Sequence, residues 1–268
     1  MSLDFVQITF LAILQGLTEF LPISSSGHLI LPSLLFSWDD QGLTFDVAVH
    51  VGTLFAVLLY FRSDIVRLST AWLKSLSGRN NTTDSRLAWM LLVATVPAGI
   101  AGLLLVDYIE QYARSLWVIS FTSIGFALLL YWSDKAGSKK ISIQQLNWKT
   151  ILIIGLAQMF AIIPGTSRSG VTMTAALFCN LDRQAAARFS FLLSIPIILA
   201  TGFLKGVELA TASGASIQWL VMFYGAIVSA LVAYICIHFF LQLIEKIGFL
   251  PFVVYRVVLG LFLLFLAL

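Results

Sequence analysis

Two long apolar stretches of this chain are interrupted near their centres by small polar residues. Residues 5–36 carry P-I-S-S-S-G-H, and residues 150–180 carry P-G-T-S-R-S-G. The surroundings are hydrocarbon-like: 59% of the 268 residues are apolar and only 11% are charged, against about 25% charged in soluble domains. A bilayer span needs about 20 mainly apolar residues, and neither half of a broken stretch is that long. Non-helical backbone at membrane depth survives only where protein or a water-filled cavity satisfies its amides. Both stretches therefore read as re-entrant hairpins, which enter and leave the membrane on the same side.

Six other stretches are uninterrupted: 43–61, 88–106, 115–132, 186–208, 217–241 and 250–268. If 1–42 starts outside, the inner segments are 62–87, 133–149, 181–188 and 242–249. They hold twelve basic residues: Arg62, Arg67, Lys74, Arg79, Arg86, Lys135, Lys139, Lys140, Lys149, Arg183, Arg188 and Lys246. The outer segments 1–42, 107–114 and 209–216 hold one, Arg114. Basic loops stay on the cytoplasmic side, and counting either broken stretch as a full span would mix the two groups. Cys179 and Cys236 lie in or beside apolar runs, with no metal-binding spacing, and read as small buried hydrophobes.

The broken stretches also echo one another. Gly16-Leu17-Thr18-Glu19 matches Gly155-Leu156-Ala157-Gln158, and Ser24-Ser25-Ser26-Gly27 matches Ser167-Arg168-Ser169-Gly170. The chain is thus a hairpin plus three spans, stated twice. Three spans is an odd number, so the second copy is inverted. The expected fold is an all-α polytopic membrane protein of six transmembrane helices and two re-entrant helical hairpins. It has one membrane domain, with repeats at 1–132 and 133–268. Such repeats place the working site where the breaks meet, near the midplane.

The chemistry-bearing residues sit in those breaks. A carboxylate at membrane depth costs about 2.5–3.5 kcal/mol or more and marks a functional site with a partner. Here that carboxylate is Glu19, one helical turn after Gln15, and Arg168 is the cation in the other break. Gly165 and Gly170 allow tight turns that leave amides for an anion ahead of a helix starting near Val171. Thr166, Ser167 and Ser169 add hydroxyl donors, and the Arg168 fork matches phosphate oxygens. The first break supplies hydroxyls on Ser24, Ser25 and Ser26, with Glu19 and His28 as candidate acids or bases. Phosphoryl transfer also calls for charge neutralisation, by Arg168 and by a divalent cation for which Glu19 is a candidate ligand. An oxygen-rich setting favours Mg²⁺ or Ca²⁺. His50 is a weaker candidate that lies early enough in its span to face the outer half and could stand behind the site. Asp46 reads as a helix-start residue and His238 as structural.

At these residues the chain resembles the undecaprenyl-diphosphate phosphatase, or bacitracin-resistance, family. The resemblance is carried by Q-G-L-T-E-F-L-P-I-S-S-S-G-H, F-D-V-A-V-H-V-G-T-L-F-A-V, P-G-T-S-R-S-G and F-S-F-L-L-S-I-P. It implies a bacterial inner-membrane enzyme that removes the terminal phosphate of a C55 polyprenyl diphosphate lipid, with its site opening to the periplasm. The product is the lipid carrier for peptidoglycan precursors, and overproduction confers bacitracin resistance. The resemblance also implies an essential glutamate and histidine at Glu19 and His28, a nucleophile at Ser25 and a phosphate-binding pair at Ser167 and Arg168. Divalent-metal dependence and a homodimer belong to it as well. Gln15 stands where the family often has Glu, and an amide there serves as a hydrogen-bonding or ligand position.

The expectation is a lipid diphosphate phosphatase acting in the outer half of the membrane, with membrane lipids and no nucleic acid as partners. Its catalytic residues are Glu19, Ser25, His28 and Arg168. The substrate-binding residues are Gln15, Ser24, Ser26, Gly165, Thr166, Ser167 and Ser169. The alternative is a transporter or flippase of a phosphorylated polyprenyl lipid, which needs the arginine but has no use for a serine beside Glu19 and His28.

Overall fold

The computed structural model describes residues 4–36, 38–78, 82–136, 140–211 and 218–268. Of the basic residues placed on the inner side, Arg79 and Lys139 lie outside the described residues, as does 212–216 of the outer segments. The described residues form eleven α-helices: α1 Phe5–Thr18, α2 Ser25–Phe36, α3 Gly42–Tyr60, α4 Arg62–Leu76, α5 Thr83–Tyr112 and α6 Leu116–Ala136, then α7 Trp148–Gln158, α8 Arg168–Phe178, α9 Arg183–Thr211, α10 Trp219–Ile247 and α11 Leu250–Ala267. A 3-10 turn, Met159–Ile162, extends α7 toward the second break.

Five helices, α5, α6, α9, α10 and α11, are long and apolar enough to cross a membrane. A sixth span is present if α3 and α4 count together, although they are bent apart by 82°. The segment 62–87 was expected only as a basic connection, and it contains α4. Asp64 in the first turn and Lys74 in the last complement the helix dipole there, while Leu68 is buried. The helices α1, α2 and α7 are apolar and short, as the broken stretches require.

Contacts gather the basic segments at one end of the bundle. Arg188 Nη2 lies 2.9 Å from Asp64 Oδ2, tying α9 to α4. Arg183 grips both oxygens of Asp134 at 2.7 and 2.8 Å, tying α9 to the end of α6, and reaches the Glu245 carbonyl at the end of α10. Arg86 at the start of α5 donates to the Leu146 carbonyl just before α7. At the other end Arg114 pairs with Asp40 at 3.3 Å.

The two broken stretches pack in matching fashion. Helix α1 lies on α10 and α7 on α5, while α3 lies on α10 and α9 on α5. At Gly16 an added Cβ would come within 2.7 Å of the Ser229 carbonyl, and at Gly155 within 2.9 Å of the Ala94 carbonyl. The absence of a side chain is what lets each short helix touch the backbone of its neighbour. Cys236 is buried, with its thiol on the Leu17 carbonyl.

Candidate active site

Each break ends in the same local structure. Ser24 and Ser167 both have left-handed backbones, with φ of 75° and 71°. Each turns the chain and caps the following helix: the Ser24 hydroxyl accepts from the Gly27 amide at 3.3 Å, and the Ser167 hydroxyl from the Gly170 amide at 3.1 Å. The hydroxyl two residues on hydrogen-bonds with the first in both places, Ser26 with Ser24 at 3.4 Å and Ser169 with Ser167 at 3.1 Å. This cap starts α8 at Arg168 rather than near Val171. Ser25 and Arg168 thereby become the first residues of α2 and α8, where helix amides favour anions.

The two tips meet. Gly27 lies so near Gly165 that a Cβ would stand 3.3 Å from the Gly165 amide nitrogen and Cα. Gly165 itself has φ of 86° and leaves no room for a side chain against Ile119 and Thr122. Ser169 donates to the Leu21 carbonyl at 2.8 Å, one break to the other. Across this junction Arg168 Nη2 lies 2.6 Å from Glu19 Oε1. The second carboxylate oxygen, Oε2, accepts the Ser25 hydroxyl at 2.6 Å and the Gln15 amide at 3.0 Å. Glu19 is buried, and the Arg168 side chain is 13% exposed. One carboxylate therefore holds a guanidinium on one oxygen and a serine hydroxyl on the other.

The remaining expected residues fall around this cluster. Among the described residues Gln15 Oε1 and Thr166 Oγ1 are buried without a hydrogen-bond partner, which is uncommon for buried polar atoms. Both ring nitrogens of His28 lie on groups other than the Ser25 hydroxyl. One ring nitrogen, Nδ1, is 2.7 Å from the Ser24 carbonyl, and the other, Nε2, is 2.6 Å from the Tyr255 hydroxyl. His50 Nε2 lies 3.8 Å from Glu19 Oε2. A cavity of about 200 Å³ is lined by Ser26, Gln41, Asp46, His50, Arg114 and Pro164. Its wall includes His50, the neighbour of Glu19, and Arg114.

Sequence reading missed Tyr255 and Arg256, neighbours on α11. Arg256 is 1% exposed, and its guanidinium donates to the carbonyls of Pro22 at 3.2 Å, Gly165 at 2.8 Å and Thr166 at 2.9 Å. It thus ties both breaks to α11. A lone cation in an otherwise apolar span was the available signal. Thr122 on α6 adds a bond to the Pro164 carbonyl at 2.7 Å.

Two predictions follow from α11. Arg256→Met strips donors from three buried carbonyls, each worth about 1–3 kcal/mol when left unpaired; the thermal unfolding midpoint in detergent drops sharply, and an unchanged midpoint would contradict the clamp. Tyr255→Phe removes one neutral hydrogen bond of about 0.5–1.5 kcal/mol. It lowers the kcat of the reaction at this site by roughly threefold to tenfold, without moving the unfolding midpoint as far as Arg256→Met does.

Fold and site together define a polytopic helical membrane protein with a buried serine–glutamate–arginine centre. The chain belongs to the family described as bacitracin resistance protein BacA, whose model matches residues 8–262. It is 55% identical over 258 residues to undecaprenyl-diphosphatase 1 of Pseudoalteromonas translucida (strain TAC 125), covering 96% of this chain and 97% of that protein. It is also 55% identical over 259 residues to the undecaprenyl-diphosphatase of Hahella chejuensis (strain KCTC 2396), covering 96% of each. The identity with the undecaprenyl-diphosphatase of Thioalkalivibrio sulfidiphilus (strain HL-EbGR7) is 53% over 264 residues, covering 98% of this chain and 99% of that protein.

Proposed function

We propose that the protein is an integral membrane undecaprenyl-diphosphatase, which hydrolyses the lipid diphosphate to undecaprenyl phosphate and phosphate and so returns the carrier to peptidoglycan synthesis. One observation carries the catalytic assignment: Glu19 accepts the Ser25 hydroxyl on Oε2 while Arg168 holds Oε1. A transporter site would have use for the arginine and none for a serine held on a carboxylate.

In the proposed mechanism the diphosphate lies at the junction of the breaks. Arg168, the first amides of α8 and the unpartnered Thr166 hydroxyl bind its oxygens. Glu19 Oε2 takes the Ser25 proton as Oγ bonds to the terminal phosphorus. The bridging P–O bond breaks, and its electron pair leaves with undecaprenyl phosphate. The Glu19 proton passes to the departing oxygen of undecaprenyl phosphate. Water then attacks the phosphoserine and gives a proton to Glu19, which returns it to Ser25 Oγ as the P–Oγ bond breaks and phosphate is freed. The role of Arg168 is to offset negative charge on the transferring group. His28, fixed between Ser24 and Tyr255, orients the strained turn that aims Ser25.

The donors near Glu19 suit a hard divalent cation in type, since Gln15 Oε1 is an unpartnered oxygen and Ser25 and Glu19 add two more. They are too few for a full shell: among the described residues no three His, Cys, Asp or Glu side chains converge. Mg²⁺ is commonly held by one or two side chains plus substrate phosphates. Glu19 and Gln15 would hold it alongside the diphosphate, and when bound it would supply further charge neutralisation.

The re-entrant and inverted-repeat reading belongs to the same proposal, with α1–α2 and α7–α8 as hairpins and 1–132 and 133–268 as repeats. Its support is the twin serine caps, the swapped packing on α10 and α5, and the paired glycines 16 and 155. Basic residues gathered at one end favour that end as cytoplasmic in the inner membrane, so the Arg114 cavity faces the periplasm. Purified protein in detergent, given undecaprenyl diphosphate with Mg²⁺ or Ca²⁺, releases phosphate; no release with either metal would reject the enzyme reading.

A further inference from the structure

Helix α4 is unused by the catalytic reading. It turns 82° from α3, so it runs along the bundle end where the basic segments gather, rather than through the bundle. Leu68 and the partly buried Ile65 pack it inward. The outward surface has two rows seven residues apart, which is helical spacing for one face. One row is apolar: Val66 and Leu73 are 66% and 58% exposed, and Leu76 beside them is 57% exposed. The adjacent row is cationic, with Arg67 and Lys74, and Arg62 stands at the helix start. Arg62, Ser63, Arg67, Thr70 and Lys74 line a cavity of about 790 Å³ that reaches Asp84.

An exposed apolar row on a fully hydrated surface would invite aggregation, whereas a helix lying at the bilayer boundary buries that row among acyl chains. The cationic row then stands at headgroup level. Three cations face the cavity against the single carboxylate of Asp84. Arg67 is partly engaged, by Asp64 at 2.8 Å and Asp84 at 3.4 Å. Arg62 and Lys74 have no ion-pair partner among the described residues, Arg62 reaching only the Leu59 carbonyl at its own bend. The surplus charge fits a phosphodiester.

We infer that α4 is an interfacial helix that binds the headgroups of anionic phospholipids in the adjoining leaflet, through Arg62, Arg67 and Lys74. This site is separate from the catalytic junction and independent of the phosphatase reading.

The test uses the full chain in phosphatidylcholine nanodiscs carrying a trace of spin-labelled lipid. The immobilised fraction of labelled phosphatidylglycerol is compared with that of labelled phosphatidylcholine. The unaltered protein prefers phosphatidylglycerol, and the triple variant Arg62→Gln/Arg67→Gln/Lys74→Gln loses most of that preference, about fivefold for each cation removed. The thermal unfolding midpoint of the variant reports whether it is folded. Should it not fold, added sodium chloride serves instead, because it screens headgroup contacts and lowers the preference of the unaltered protein. Equal preference for the two lipids in the unaltered protein would overturn the inference, as would a preference unmoved by both the substitutions and salt. Stronger displacement by inorganic phosphate than by chloride at matched ionic strength would also overturn it, by assigning the site to a soluble anion.

Discussion

Arg168→Ala will slow phosphate release from undecaprenyl diphosphate by about 10²–10³-fold, the usual cost of removing one donor aimed at developing charge. The same substitution will destabilise the protein, because Glu19 keeps its burial and loses the guanidinium 2.6 Å away. Breaking one side of a buried ion pair costs about 3–5 kcal/mol. The two effects can be separated. In Glu19→Gln/Arg168→Gln neither buried charge remains, so the unfolding midpoint recovers toward that of the unaltered protein while phosphate release stays lost. If activity recovered together with stability, Glu19 and Arg168 would both be structural counter-ions only, and the catalytic assignment of the pair would fall.

Ser25→Ala discriminates between nucleophiles by size of effect. With Ser25 as the attacking group its loss removes a bond-forming atom, and activity falls by about 10⁴-fold or more, the order seen for serine nucleophiles elsewhere. Were an activated water to attack directly, the substitution would delete only the 2.6 Å hydrogen bond to Glu19. A hydrogen bond to a charged group is worth about 1.5–3 kcal/mol, or roughly 10–150-fold. Brief incubation with terminally ³²P-labelled substrate followed by acid quench is expected to leave label on the unaltered protein and none on Ser25→Ala. A drop of only tenfold, with no labelled protein at any quench time, would favour water.

Much of this site was legible in the chain because hydrocarbon makes polar residues conspicuous. Glu19 and Arg168 stood out as charges at membrane depth, and their pairing follows from the cost of leaving either alone. The breaks were legible from Pro, Gly and Ser in otherwise apolar runs. The left-handed Ser24 and Ser167 were not, because non-glycine residues rarely adopt positive φ and nothing in S-S-S-G announces it. His28 offered two ring nitrogens as a sequence, but its Tyr255 partner lies 227 positions away. Arg256 carried the same signal as Arg168, a cation in an apolar run, and went unread because its helix is otherwise uninterrupted. Helix α4 was hidden by its charges, which made 62–87 look like a loop.

The Arg256 clamp has a consequence for biogenesis. Glu19 and Ser25 leave the ribosome well before Arg168, and Arg168 well before Arg256. Until α11 has entered the bilayer, the carbonyls of Pro22, Gly165 and Thr166 lack the guanidinium that ties their turns together. Assembly of the junction is therefore not local to either break: its two turns gain their shared guanidinium only when α11 joins the bundle.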